Sequence, residues 1–280
     1  MSIKLASNNV REKAPIIHNI TNYVTVNDVA NVLLACGASP IMADDKNEVE
    51  EITAITSGLN LNIGTLNERT VESMFIAGRM AQELGHVINL DPVGAGASKI
   101  RTQTAAQIIN DLNITTIRGN ISEIKAVAAE LGIFENNSGA KGVDADAVDL
   151  VTDENLEQSL EIIKLFARKT GAITAVTGAI DIVTDGETAY VIKNGRPEMS
   201  KITGTGCQLS SLVTAFAAAN PEDMLAGVAA AVMTMGAAGQ VAFDNLQPCE
   251  GNSTYRNRII DAIYHMTGEK LEELANYEKR

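Results

Sequence analysis

Tryptophan is absent from this 280-residue chain, and only five Tyr and five Phe are present. The core must therefore be built from Ala, Val, Ile, Leu and Met. Single-stranded nucleic-acid binding, which relies on aromatic stacking platforms, is not expected. Positive charge is also scarce: 22 Lys and Arg stand against 35 Asp and Glu, a formal net charge of −13. Such a field repels nucleic acid and anionic membrane, and no run of Lys or Arg overrides it. An anionic ligand would need a local positive patch or a metal ion. The three cysteines, Cys36, Cys207 and Cys249, lack C-x-x-C spacing and a paired His, which speaks against a zinc site. Their odd number and wide spread fit a reducing cytoplasm better than a disulfide framework. Met1–Asn8 has no apolar h-region, so no secretory signal is expected. Residues 224–243 carry no charge and have the length to span a bilayer. They are rich in Ala and Gly, include Gln240 and lack basic or aromatic flanks, so a buried core helix is expected there.

What is present is a regular alternation of strand-like and helix-like segments. Strands are expected over 15–20, 39–43, 59–64, 87–91, 115–118 and 172–177. Helices are expected between them over 26–36, 48–57, 68–84 and 101–112. Gly37 and Gly85 stand at C′ positions. Ser122 is read as the cap of a helix running through Leu131, and Thr152 as the cap of one running through Lys169. Residues 132–148 read as a loop. Asp185-Gly186 signals a hairpin between strands at 182–184 and 188–193. After Gly206 the pattern is helical to the end. No repeat, low-complexity segment or long linker divides the chain, so a single domain over 1–280 is expected. Alternating β and α segments imply an α/β fold, with a mostly parallel sheet covered by helices on both faces. Ligands in such folds bind beyond the carboxyl ends of the strands.

The polar motifs fall at those ends. Thr203-Gly204-Thr205-Gly206-Cys207 opens directly into an apolar helix. Gly204 and Gly206 let backbone approach a ligand closely, and the helix start offers N–H groups and a positive dipole end to an anion. Cys207 falls in the first turn, where a thiol pKa tends to be lowered. Asp91, ahead of Pro92-Val93-Gly94-Ala95-Gly96, is suited to Mg²⁺ or to capping the turn. Arg118 is suited to a phosphate. Asn120 and Glu123, three apart, could orient water around Mg²⁺; Ser122 and Glu123 at a helix start are equally suited to ordinary helix capping. Thr177 offers a hydroxyl to a phosphate. Met42, Asn22 and Val24 could line an apolar pocket with few polar contacts. His18, His86 and His265 show no ligand spacing. No G-x-S-x-G elbow, Walker A motif or G-x-G-x-x-G after the first strand is present.

In this order, His18-Asn19-Ile20-Thr21-Asn22, Gly37–Ala43, Leu61–Leu66, Asp91–Ala97, Arg118-Gly119-Asn120 with Glu123, and Thr203–Cys207 resemble the hydroxyethylthiazole kinases of the ribokinase-like superfamily. The resemblance implies a three-layer ribokinase-like fold. It implies ATP-dependent phosphorylation of the hydroxyl of 4-methyl-5-(2-hydroxyethyl)thiazole, a step of thiamin salvage. It also implies a cytoplasmic homotrimer with active sites at subunit interfaces. By the same resemblance, Arg118 and Thr177 match ATP-binding residues, while Met42 and Gly204 match thiazole-binding ones. Asn22 and Val24 fall in the pocket segment, Asp91 and Glu123 match acidic positions associated with Mg²⁺ and phosphate, and Cys207 matches the residue beside the acceptor hydroxyl. Sugar kinases of the superfamily carry Asp where Cys207 stands. A pyrimidine or pyridoxal alcohol kinase, or a non-catalytic nucleotide-binding protein, remain the alternative readings.

Overall fold

The computed structural model describes residues 1–133 and 150–280. Of the loop expected over 132–148, all but its first two residues lie outside them. Among the described residues, nine strands form one sheet in the order β2-β1-β3-β4-β5-β6-β7-β8-β9. The first six are β1 (Ile16–Ile20), β2 (Ser39–Ile41), β3 (Gly58–Asn62), β4 (Val87–Asp91), β5 (Thr116–Asn120) and β6 (Ile173–Thr177). They run parallel. Then β7 (Asp181–Thr184), β8 (Ala189–Ile192) and β9 (Tyr277–Lys279) add antiparallel strands at one side. The expected mainly parallel sheet is therefore present.

Helices cover both faces and enclose two apolar cores. One core packs α3 (Val49–Ala54), α4 (Glu68–Leu84), α5 (Lys99–Asp111), α6 (Ile121–Glu130) and α7 (Leu156–Thr170) against the sheet. The other packs α1 (Ile3–Lys13), α2 (Val26–Cys36), α8 (Thr205–Ala219), α9 (Met224–Asp244), α10 (Asn252–Tyr264) and α11 (Gly268–Leu274). The long uncharged segment is α9. Of its most apolar stretch, 83% is buried within the chain, as a core helix requires.

Local chemistry sets the boundaries. Gly37 and Gly85 adopt left-handed conformations at the ends of α2 and α4, where a Cβ would be strained. Three expectations are corrected. Asn120, not Ser122, caps α6: its Oδ1 accepts the Glu123 N–H at 2.8 Å, and Glu123 reciprocates to the Asn120 N–H at 2.8 Å. The helix after residue 150 begins at Leu156, and Thr152 gives its N–H to Asn155 Oδ1 instead of capping. The chain does not stay helical to its end, because β9 pairs with β8. The N-terminal helix α1, not foreseen in the sequence, packs Ile3, Ala6 and Val10 inward at helical spacing.

Candidate active site

Parallel strands bring their carboxyl ends to one edge of the sheet. That edge carries Asn22 after β1, Met42 after β2, Asn62 and Asp91 closing β3 and β4, Arg118 and Asn120 closing β5, and Thr177 closing β6. Helix α8 lies across β1, β3 and β4 and is buried nearly all round. It starts at Gly204, whose φ of 86° and position against Thr25 leave no room for a side chain: a Cβ would stand 2.2 Å from Thr25 Cγ2. The first N–H groups of α8 have no helical acceptor and face this edge.

Arg118 lies over that helix start. A Cβ on Gly206 would collide with the Arg118 guanidinium, so glycine is what lets the arginine close on the backbone. Arg118 Nη2 donates to Thr177 Oγ1, and Nη1 stands 3.9 Å from Asp91 Oδ2. Its buried Nε has no partner among the described residues. The helix start and the guanidinium thus form one positive anion cradle.

Asp91 is fully buried. Its Oδ2 accepts from Asn62 Nδ2 at 2.8 Å and Ser210 Oγ at 2.7 Å, while Oδ1 has no partner among the described residues. Burial pushes its carboxyl up to about 6, Arg118 opposes this, and Glu123 adds to it. Glu123 closes the cap of α6 with one oxygen and takes the Gly94 N–H at 2.8 Å with the other. It therefore ties the Gly-rich turn after β4 to the start of α6. Desolvation also pushes the Asp181 carboxyl up, to about 7, beside Arg118, and it holds the Gly178 N–H at 2.8 Å.

Cys207 is buried in the first turn of α8 and accepts from Asn22 Nδ2 at 3.2 Å. The expected lowering of its pKa is overturned. Burial raises it and the Asp91 charge adds to the rise, outweighing the amide donors and Arg118. Asn22 Oδ1 in turn accepts from Thr25 N and Oγ1, each at 3.1 Å. Met42 is half-buried and immediately precedes Ala43, whose carbonyl is held by His18 Nε2 at 2.9 Å. Val24, 57% exposed, is not drawn into a pocket of its own chain.

Sequence reading missed the polar row beneath these groups. Asn19, Asn60, Asn89 and Thr116 stand in register on adjacent strands. Asn60 donates to Asn19 at 3.1 Å, Asn89 to Asn60 at 2.9 Å, and Thr116 to Asn89 at 2.7 Å. Ser211 of α8 donates to Asn19 Oδ1 at 2.7 Å. This row fixes α8, and hence the cradle, against the strand ends. The available signal was Asn or Asp at alternate positions in apolar strands: Asn60 and Asn62, Asn89 and Asp91.

The model of the hydroxyethylthiazole kinase family matches residues 7–269. The chain belongs to the hydroxyethylthiazole kinase family. A hydroxyethylthiazole kinase of Clostridium acetobutylicum is 56% identical over 270 residues, covering 96% of this chain and 97% of that protein. The solved structure of a hydroxyethylthiazole kinase protein from Pyrococcus horikoshii OT3 is 33% identical with a TM-score of 0.86, and covers 99% of this chain and 98% of that one. A ribokinase-like superfamily protein from Enterococcus faecalis V583 aligns with a TM-score of 0.59 at 11% identity, over 92% of this chain and 88% of its own. That likeness shows the ribokinase-like fold alone.

Proposed function

We propose that this kinase-family member transfers the γ-phosphoryl group of ATP to the hydroxyl of 4-methyl-5-(2-hydroxyethyl)thiazole. Family membership over nearly the full chain supports the reaction. The observation that carries the site is the Arg118 guanidinium lying over Gly206 at the start of α8. An anion there meets the guanidinium, the helix N–H groups and the Thr177 hydroxyl together. Phosphoryl transfer needs mainly such positioning and charge stabilisation, because its transition state is loose in most analyses.

The acceptor oxygen attacks the γ-phosphorus, the bond to the ADP oxygen breaks, and the hydroxyl proton leaves for a nearby base or for water. Cys207 orients that hydroxyl. A thiol held above its ordinary pKa by burial keeps its own proton near neutral pH, so Cys207 acts by positioning and the acceptor's proton leaves for water. Cys207→Ala should therefore lower kcat by about 10–100-fold, below the roughly 10²–10⁴-fold of a working general base, and leave measurable turnover. Complete loss, with ATP binding and folding intact, would make the thiol an obligatory base.

The residues present fit a magnesium ion. Buried Asp91 has one oxygen with no partner among the described residues, and Mg²⁺ is usually held by one or two carboxylates together with substrate phosphates. Asp91 would hold it directly. Glu123, with both oxygens engaged by backbone N–H groups, would reach it through water. When bound, the ion supplies charge neutralisation to the phosphates.

The substrate assignment is tested by comparing kcat/KM for the thiazole alcohol, hydroxymethylpyrimidine and pyridoxal. The thiazole should lead by at least tenfold; a lead for either of the others would reassign the enzyme within the same fold. ATP binding without transfer to any of the three would leave a nucleotide-binding protein.

A homotrimer with sites at its interfaces extends the same reading. Tyr23 (79% exposed), Val24 (57%) and Leu34 (58%) are exposed apolar side chains before and on α2, the first two in the pocket segment. A monomer would leave them in water. Sedimentation should give three copies of the 29.7 kDa chain. Val24→Asp should dissociate them and reduce turnover; a fully active wild-type monomer would overturn the assignment. Nothing in the net charge favours nucleic acid or membrane as a partner, and a cytoplasmic location accords with three free cysteines.

A further inference from the structure

We propose that Asn62 is a positioning residue that sets the Cys207 thiol and the Asp91 carboxylate in one fixed relation. The proposal rests on the site reading above and deepens it. Asn62 ends β3 and is buried. Its amide faces both halves of the site. Nδ2 donates to Asp91 Oδ2 at 2.8 Å. Oδ1 accepts from Asn22 Nδ2 at 3.0 Å and from the Gly64 backbone N–H at 3.0 Å. Asn22 passes the constraint on, because the same Nδ2 donates to Cys207 Sγ at 3.2 Å.

The chain Cys207–Asn22–Asn62–Asp91 therefore runs from the group beside the acceptor hydroxyl to the group beside the phosphate. The polarity of each link is fixed. Asp91 Oδ2 accepts only, so Asn62 must present its NH₂ there and its carbonyl oxygen to Asn22. That in turn directs both Asn22 N–H groups away from Thr25, one to Asn62 and one to the thiol. The Asn22 oxygen is left for the Thr25 N–H and hydroxyl. Gly64 leaves the room: a Cβ there would stand 3.0 Å from Asn22 Cβ, Asn22 Nδ2 and Asn62 Oδ1. Isolated capping does not explain this set, since Asn62 begins no helix. An amide that bonds both a carboxylate and a second amide couples their positions more tightly than either contact alone.

Losing Asn62 should misplace the acceptor relative to the phosphoryl group without removing a ligand contact. Ångström-scale misplacement at a reacting centre costs on the order of 10²-fold in rate. In Asn62→Ala, kcat should fall about 10–100-fold, with KM for ATP and for the thiazole alcohol each within about threefold of wild type. A second readout separates positioning from loosening. In a Cys249→Ser background, the pH midpoint of Cys207 alkylation by iodoacetamide is read from the modified peptide. Asn62→Ala removes an amide that itself lowers the Cys207 pKa and frees the Asn22 donor it holds, which should move that midpoint up by about half a unit or more. Simple loosening would admit water, relieve the burial that raises the thiol, and move the midpoint down. Asn62→Ser, which keeps a polar group near the Gly64 N–H, repeats both measurements should Asn62→Ala fold poorly. An unchanged kcat, or a midpoint that stays or falls, overturns the proposal. Failure of the wild-type protein to turn over the thiazole would sink the functional reading, and the alkylation midpoint would still decide the role of Asn62.

Discussion

Asp91→Asn should lower kcat by about 10³-fold while leaving the protein at least as heat-stable as wild type at pH 8. The activity loss follows from the charge. Asp91 brings the negative group that faces Arg118 and is the carboxylate suited to the metal ion, and electrostatic groups of this kind are worth about 10²–10³-fold each in kcat. The stability expectation follows from burial. The Asp91 carboxyl is fully buried and its pKa stands at about 6, above the ordinary 3.8. A carboxyl raised on folding destabilises the folded state above that pKa, and the penalty is relieved as pH falls from about 6 towards 4. Two pH units correspond to about 3 kcal/mol as an upper bound. An amide removes that cost but leaves Arg118 without its counter-charge, so the net effect is smaller. Calorimetry at pH 8 checks the stability, and steady-state kinetics check the rate. In the wild type, kcat/KM should fall as pH drops through about 6, because the ionised free enzyme is the active form. A fall in melting temperature of several degrees with activity retained would reverse the assignment, making Asp91 a structural anchor.

Arg118→Ala should raise KM for ATP by about 10–100-fold and lower kcat as well. A hydrogen bond to a charged group contributes about 1.5–3 kcal/mol, and a forked guanidinium offers two. Arg118→Lys should recover little. A single ammonium cannot at once reach Thr177 Oγ1 and lie flat over Gly206 beside Asp91. Removing Arg118 also takes away a charge that lowers the Asp91 pKa. The acid limb of kcat/KM should therefore move to higher pH in Arg118→Ala. Isothermal titration with a non-hydrolysable ATP analogue measures the binding loss directly, and unchanged affinity would place the phosphates elsewhere.

These residues were legible in sequence because each stands at a strand end followed by a turn, a signal carried by neighbours along the chain. The bounds of α4 and β4 follow from apolar periodicity, Gly85 and the Asp91-Pro92 junction. The parts that were not legible depend on what lies across space. The cap of α6 was misplaced by two residues because Ser122 and Asn120 are both competent caps. Glu123 selects Asn120 by returning a bond to its N–H. Strand β9 is three exposed residues with no alternation, and only the unpaired edge of β8 orders it. The Asn19–Asn60–Asn89 row looks like a solvent face in any one strand, and becomes a buried network only when registers align. The Cys207 pKa was misjudged for the same reason. Its helix position is local, but its burial and the nearby Asp91 are not.

In the proposed reaction, one site at the strand ends holds the transferring phosphoryl group over the start of α8 and the acceptor hydroxyl at Cys207. A crystal soaked with the thiazole alcohol, Mg²⁺ and a non-hydrolysable ATP analogue tests it most directly. The γ-phosphate should lie between the Gly204–Gly206 backbone and Arg118, with the thiazole hydroxyl within hydrogen-bond reach of Cys207 Sγ. A γ-phosphate bound away from α8, or a thiazole hydroxyl pointing away from Cys207, would contradict the account.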